Sequence, residues 1–111
     1  MKRTFLGEFE EIVLLSVAVL ADEAYGVLVT HEIERQTGRS VGFNNVHTTL
    51  QRLEEKGFLS SKMGGATAER GGRRKRFFKL TAAGGRALKD VRDTRAQLWS
   101  SLPPKAIHLL S

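Results

Sequence analysis

The sequence predicts a mainly helical fold with one small β-hairpin, and two observations support this. The first is the order of patterns in this 111-residue chain: three stretches with apolar residues at helical spacing, two short strand-like stretches, and another helical one. The second is charge, because Lys62–Lys79 contains seven Lys or Arg and one acid, a net +6 that equals the charge of the whole chain. A basic hairpin on an otherwise neutral domain is typical of a surface that binds a polyanion.

Three amphipathic stretches predict the first three helices. The first spans residues 8–21, with acids in its first turn, where the helix dipole favours them. The second runs from about Ala24 to Thr37 and the third from about Phe43 to Lys56, and Gly38 and Gly57 are typical C-terminal stops. The side chains expected to face the core are Phe9, Ile12, Val13, Val17 and Leu20 on the first helix, Val27, Leu28 and Ile33 on the second, and Val46, Leu50 and Leu53 on the third.

A hairpin and a fourth helix complete the predicted order. Phe58–Met63 and Lys75–Leu80 predict the two strands, and pairs of glycines give the connecting loop its conformational freedom. Thr81 is a typical N-cap for a last helix at about 82–101, which Pro103-Pro104 is expected to end.

This order of elements is that of a winged helix-turn-helix. In that fold the third helix enters the DNA major groove, and the β-hairpin, or wing, lies along the flanking backbone. We therefore expect residues 1–80 to form a winged helix DNA-binding domain. Residues 81–111 are expected to form a C-terminal dimerisation helix and tail, and the two parts to make one compact unit.

The composition argues against catalysis. The chain has no cysteine, which excludes disulfides, thiolate metal sites and a cysteine nucleophile. It also has no recognisable Ser/His/Asp constellation, and His31 and His108 lack partners at metal-ligand spacing. We predict no enzymatic activity, no catalytic residue, no cofactor and no metal site.

The N-terminus resembles a secretion signal only superficially. The apolar run Ile12–Ala21 follows a basic start, but Glu8, Glu10 and Glu11 lie between them, where a signal peptide should lack acids. Ten apolar residues are also too few to span a bilayer. The sequence therefore predicts a cytoplasmic protein without membrane contact.

Four stretches of the sequence resemble one family. Four parts of the PadR-like transcriptional regulators are resembled in order: the opening helix by Leu6–Leu15, the start of the second helix by Tyr25-Gly26, the recognition helix by Val46–Gly57, and the wing with the start of the C-terminal helix by Glu69–Gly84. The resemblance implies a DNA-binding homodimer, usually a repressor, in which the last helix serves dimerisation. With a single C-terminal helix, the chain resembles the short branch of the family. Some members of that branch bind planar hydrophobic compounds between subunits.

Candidate DNA contacts come from the third helix, the wing and the resemblance. Asn can pair with adenine, Arg with guanine, and a Thr methyl can touch a thymine methyl, whereas Arg and Lys of the wing suit phosphate. Asn44 and His47 stand where the family typically has Gly and Tyr, at positions where base or phosphate contacts would be made. The predicted DNA-binding residues are Tyr25, Asn44, Asn45, His47, Thr48, Thr49, Arg52, Arg70, Arg73, Arg74, Lys75 and Arg76.

The last helix carries a heptad-like apolar seam. Leu88, Val91, Leu98 and Leu102 repeat at i, i+3, i+10 and i+14, with a basic residue at the skipped position. A second copy of the chain is the expected cover for this seam, and packing back on its own domain is the alternative. The candidate effector-binding residues are Trp99, Leu98 and Arg95. In the other interpretation, Trp99 anchors the dimer interface.

Together these observations predict a sequence-specific dimeric regulator of transcription. Its partner is expected to be double-stranded DNA with a palindromic operator, and its role that of a repressor released by a small planar hydrophobic or aromatic effector. Two alternatives remain open: an RNA- or single-strand-binding winged helix module, and a protein–protein adaptor.

Overall fold

Three helices pack around one apolar core, and a hairpin and a fourth helix close it. A computed structural model of the chain describes residues 6–64 and 74–111. The described elements are helix α1 (Glu8–Leu20), a 3₁₀ turn (Ala21–Glu23), helix α2 (Gly26–Thr37), helix α3 (Phe43–Glu55), strands β1 (Leu59–Met63) and β2 (Arg76–Leu80), helix α4 (Ala82–Ser100) and helix α5 (Pro104–Leu109). This order confirms the predicted mainly helical fold with a two-stranded antiparallel hairpin.

The helix ends follow the signals in the sequence. At the start of α1 the Gly7 N–H donates to Glu10 Oε1 at 2.9 Å, which satisfies one of the unpaired donors of the first turn. Gly38 ends α2 with φ 71°, and Gly57 follows α3 with φ 85°, both in the left-handed region that glycine adopts without strain.

The core is formed mainly by the predicted apolar faces. Its buried members are Val13, Leu14, Val17, Ala24, Val29, Ile33, Val46, Leu50, Leu53, Phe58, Leu59, Phe78 and Ala87. One expectation for α2 was wrong, since Val27 is exposed and Val29 takes the buried position. Val29 and Ile33 are four residues apart and therefore share one helix face, whereas Val27 lies on another.

The hairpin places one aromatic ring on each of its faces. In its register Leu59 pairs with Leu80 and Ser61 with Phe78, so Phe78 points into the core, where it is buried. Phe77 lies on the opposite face and is half-buried. This follows from the alternation of side chains along a strand.

Helix α4 begins in the core and then leaves it. The Thr81 hydroxyl accepts from the Gly84 N–H at 3.0 Å and donates to the Gly57 carbonyl at 2.7 Å, so the N-cap also ties α4 to the end of α3. Gly84 and Ala87 are buried, but from residue 92 to the end of α4 every side chain is exposed. The molecule consequently measures 61 × 36 × 20 Å.

Candidate nucleic-acid interface

The exposed face of α3 carries a stripe of polar side chains. Asn44, Thr48, Gln51 and Glu55 follow one another at i, i+4, i+7 and i+11, and all four are exposed. The stripe lies opposite the face that holds the helix on the core. Amides, hydroxyls and carboxylates are the groups that pair with base edges in the major groove. Sequence reasoning missed Gln51, although its spacing from Asn44 and Thr48 identifies the same face.

Thr49, a predicted DNA contact, does not reach this face. Its side chain is only 5% exposed, because it lies three residues after Val46 and four before Leu53, within the apolar stripe of α3. The position of Thr49 on the helix therefore determines its burial, although its side chain is polar. We therefore correct the predicted site by leaving Thr49 out of the interface.

Asn45 and Arg52 flank the stripe on one side. The Asn45 Nδ2 donates to the Val41 carbonyl at 3.1 Å, which fixes this amide at the start of α3. Burial raises the pKa of the Glu10 carboxyl, but a hydrogen bond from Lys56 and one from a backbone N–H, with the charges of Lys56 and Arg52, lower it below its ordinary value. Arg52 is exposed. It lies near a carboxylate of α1 whose negative charge is already paired with a base.

The first residue of α3 is an exposed aromatic side chain. The Phe43 ring stacks on the half-buried His47 ring, with 5.7 Å between ring centroids and 16° between planes. It also lies against the first residue of α2, since a Cβ built on Gly26 would be 2.7 Å from Phe43 Cε1. The predicted contact residue His47 is therefore held by its neighbour one turn earlier.

Tyr25 joins the start of α2 to the wing. Its ring stacks on Phe77 at 5.5 Å between centroids, and the Lys75 Nζ lies 4.4 Å from the centre of the Tyr25 ring. The backbone supports the same junction, because the Phe78 N–H donates to the Ala24 carbonyl at 2.8 Å. This arrangement places the predicted residues Tyr25 and Lys75 together at the root of the wing.

The described part of the wing presents exposed basic side chains. Arg74, Lys75 and Arg76 are all exposed. The predicted contacts Arg70 and Arg73 lie outside the described residues. Exposed Arg and Lys on a hairpin beside a polar helix face suit contacts with phosphate.

A hydrogen-bond relay connects the wing to the last turn of α3. Arg76 Nη1 donates to Ser61 Oγ at 2.9 Å, and Ser61 Oγ donates to Glu54 Oε2 at 2.7 Å. Glu54 lies next to the exposed stripe on α3, so the relay joins the wing to that helix. Arg76 therefore already has a partner within the domain, unlike a side chain that only extends into water.

The first turns of α2 and α3 contain no acidic residue, although Asp22 and Glu23 precede α2. The first turn of α1, in contrast, has three. Each acid of α1 is paired with a base from a different part of the chain: Glu8 with Arg39 at 3.5 Å, Glu10 with Lys56 at 2.7 Å and Glu11 with Arg95 at 3.0 Å. The positive ends of the α2 and α3 dipoles are thus not offset by carboxylates of their own first turns.

The predicted dimer and effector residues differ in how far they are exposed. Leu98 and Trp99 are 65% and 62% exposed, whereas Leu88 packs against the core of its own domain. Val91 and Leu102 are half-buried. Arg95, at the skipped position of the seam, points to α1, where Arg95 Nη2 donates to a Glu11 carboxylate oxygen. Only the first half of the seam therefore packs on its own domain, which is what the alternative interpretation predicted for the whole helix.

Residues 6–64 and 74–111 contain neither a metal-binding cluster nor a membrane-spanning helix. In these ranges no three His, Asp or Glu side chains are grouped as a metal site requires. The helices of the described part of the chain include none that is long and apolar enough to cross a membrane.

Comparisons with known proteins agree with this geometry. The model of the transcriptional regulator PadR-like family matches residues 14–90, which include α2, α3 and the wing. The chain belongs to this family. A comparison with curated proteins found no match.

Solved structures share the fold at low sequence identity. A PadR-like transcription factor from Bacteroides fragilis is 19% identical with a TM-score of 0.68, over 93% of this chain and 89% of that one. A PadR family regulator from Clostridium difficile is 20% identical with a TM-score of 0.67, over 83% and 92%. A PadR-like regulator from Bacillus cereus is 14% identical with a TM-score of 0.69, over 93% and 91%. The family match therefore identifies the chain as a member of the PadR-like family of transcriptional regulators, and the solved structures share its winged helix fold.

Proposed function

We propose that this protein is a dimeric, sequence-specific repressor that binds double-stranded DNA. One observation carries the proposal: the exposed polar stripe of α3 lies beside a wing of exposed basic side chains, and the Arg76–Ser61–Glu54 relay joins the two. In winged helix-turn-helix proteins the third helix enters the major groove. The stripe would then meet base edges while the wing meets phosphates.

The proposed contacts divide into two groups. Asn44, Thr48 and Gln51 read base edges, because their groups pair with specific patterns of donors and acceptors. Arg74, Lys75 and the start of α2 at Tyr25 hold the backbone, since cations and free helix N–H groups bind phosphate without regard to sequence. The acids of α1 do not oppose this, because each has a basic partner.

The C-terminal arm, residues 92–111, is the proposed dimer surface. Leu98 and Trp99 on α4 and Ile107 and Leu110 around α5 are exposed apolar side chains in one continuous stretch. A small domain rarely leaves such side chains in water without a partner. Two arms packed on each other would give a two-fold dimer and hence a palindromic operator, with half-sites about 10 bp apart or a multiple of that.

A planar hydrophobic or aromatic compound is the proposed effector that releases the repressor from DNA. Trp99 and Leu98 are its proposed contacts, because both are exposed on the arm that would lie between subunits. Such a compound changes DNA affinity only if it binds one spacing of the two reading helices better than another. A repressor of this kind acts in the cytoplasm, where its DNA lies.

Selection from a pool of random-sequence duplexes tests the proposal. We expect enrichment of a two-fold symmetric site whose footprint shows both half-sites protected. Equal affinity for duplex and single strand would instead support the RNA- or single-strand-binding alternative. Absence of retention on any nucleic acid, with salt-insensitive binding to another protein, would support the adaptor.

A further inference from the structure

The most unusual side chain on the candidate interface is apolar. Phe43 is 45% exposed at the first position of α3, one residue before Asn44, with which the polar stripe begins. An exposed phenylalanine costs free energy in water, because its apolar surface remains hydrated. Because Phe43 lies on the surface proposed to face DNA, the group that would bury its ring in a complex belongs to the DNA.

Two neighbouring residues contact the Phe43 ring. One face stacks on His47 at 5.7 Å between centroids, and the ring also lies flush against Gly26, where any Cβ would come within 2.7 Å of it. His47 is half-buried, so it anchors the pair to the domain. The ring therefore has neighbours on two sides and leaves the rest of its apolar surface exposed at the start of α3.

The chemistry of the major groove supplies a matching apolar group. Of the four bases only thymine places a methyl group in that groove, and apolar side chains read it by contact. The first residues of a recognition helix are those that contact base edges. Because Phe43 has no group that could hydrogen-bond a base, a methyl contact is the base-specific interaction available to it.

We infer that Phe43, held by His47 and Gly26, is a specificity-determining residue that reads the 5-methyl group of one thymine in each half-site. The inference rests on the proposed DNA-binding function and extends it, since neither composition nor the family match singles out this position. Thymine is preferred over a base without the methyl group because its methyl carbon is buried against the Phe43 ring. The expected preference is about fourfold for each methyl group.

Single replacements of thymine by deoxyuridine in a selected duplex test this directly, because they remove the methyl and leave the hydrogen-bonding edge unchanged. With the wild-type protein, one thymine per half-site should show the expected loss of affinity of about fourfold. Phe43→Ala should abolish the difference at that thymine. Phe43→Leu should retain part of it, because leucine keeps an apolar contact, and this guards against a variant that merely folds poorly.

Two matched variants separate a methyl contact from general weakening. Asn44→Ala changes the neighbouring side chain and should lower affinity while leaving the thymine-to-deoxyuridine ratio unchanged. Gly26→Ala retains Phe43 but displaces its ring, since the added Cβ overlaps it, and should reduce the ratio.

Three results would overturn the inference. If specific duplex binding persists but no thymine shows a penalty that depends on residue 43, Phe43 reads no methyl. If Phe43→Ala weakens single-stranded DNA more than duplex, the ring stacks on unpaired bases instead. If no duplex is enriched at all, the proposed function fails and this inference with it.

Discussion

Arg95 of α4 donates to the Glu11 carboxylate of α1 at 3.0 Å, across a separation of 84 residues in the sequence. The next acid along the chain, Glu10, accepts from Lys56, which follows α3, at 2.7 Å. Adjacent carboxylates of one helical turn thus hold both the start of the C-terminal arm and the end of the helix proposed to read DNA. A change in the position of the arm would therefore act close to α3.

Gly84 is needed for the close approach of α4 to the core. A Cβ at this position would overlap the Phe58 carbonyl oxygen and lie 2.8 Å from Leu80 Cδ1. We expect Gly84→Ala to lower the free energy of unfolding by about 1–3 kcal/mol, because overpacking against backbone cannot relax easily. Gly85→Ala is the matched control, since its nearest neighbour is 4.0 Å away and alanine favours a helix. Urea unfolding of both variants measures the difference, and equal stabilities would contradict the packing argument.

The Glu10–Lys56 pair should make stability depend on pH. Burial raises the pKa of Glu10, but hydrogen bonds and the positive charges of Lys56 and Arg52 lower it overall. Since the native pKa lies below that of the unfolded chain, this contribution is present above the unfolded pKa and is lost as pH falls through the native pKa.

Glu10→Gln should therefore be less stable than wild type at neutral pH, by about 1 kcal/mol. The two curves of stability against pH should converge once the pH has fallen below the lowered native pKa of Glu10, where this carboxyl is protonated in both the native and the unfolded state. Glu8→Gln is the control, because its contact with Arg39 is longer, at 3.5 Å, and more exposed. A gap between Glu10→Gln and wild type that persisted at low pH would show that the pair is not its cause.

The wing should supply affinity without regard to sequence. Arg74 is exposed and lies where phosphate contacts are proposed. We expect Arg74→Ala to weaken specific and non-specific duplexes alike, and to reduce the slope of log affinity against log salt by about one. Lys89→Ala removes an equal charge on α4, where Lys89 pairs with Asp93, and should leave the slope unchanged. Loss of specificity with an unchanged slope for Arg74→Ala would contradict the division between wing and helix.

Trp99 should report on the proposed effector site. If two arms leave an apolar slot between them, a planar cationic dye should quench tryptophan fluorescence saturably, since Trp99 is the single tryptophan of the chain. We expect dye binding to be lost in Trp99→Ala, followed by the fluorescence of the dye because this variant has no tryptophan, at concentrations where light scattering shows the variant to be dimeric. If the two tryptophans fill the space themselves, no saturable quenching will occur.

The sequence patterns predicted the helices and strands more accurately than they predicted which side chains are exposed. Helical spacing located α3 and its buried residues, because burial of a regular apolar stripe dominates helix packing. The same spacing places Thr49 inside that stripe, but its polarity favoured the opposite assignment. On α2, three nearby apolar residues made the buried face ambiguous, and the contacts with α1 and α3 placed Val29 inward and Val27 in water.

Other features depend on contacts that a sequence does not encode locally. Pro103-Pro104 was expected only to end α4, yet Pro104 begins the short helix α5, a position where a missing N–H costs nothing. The pairing of Arg95 with Glu11 arises from packing between α4 and α1. Pairing across 84 residues cannot be identified from spacing in one chain.

The exposed stripe of α3 is the feature on which the proposed sequence recognition depends. The most direct test compares wild type with the combined variant Asn44→Ala, Thr48→Ala and Gln51→Ala on a selected duplex and on a shuffled duplex of equal length. All three side chains are exposed, so the thermal stability should remain close to that of wild type. The ratio of specific to non-specific affinity should fall by about 100-fold or more, since each lost base contact costs about 1–3 kcal/mol. An unchanged ratio, with the variant folded, would contradict sequence reading by this face of α3.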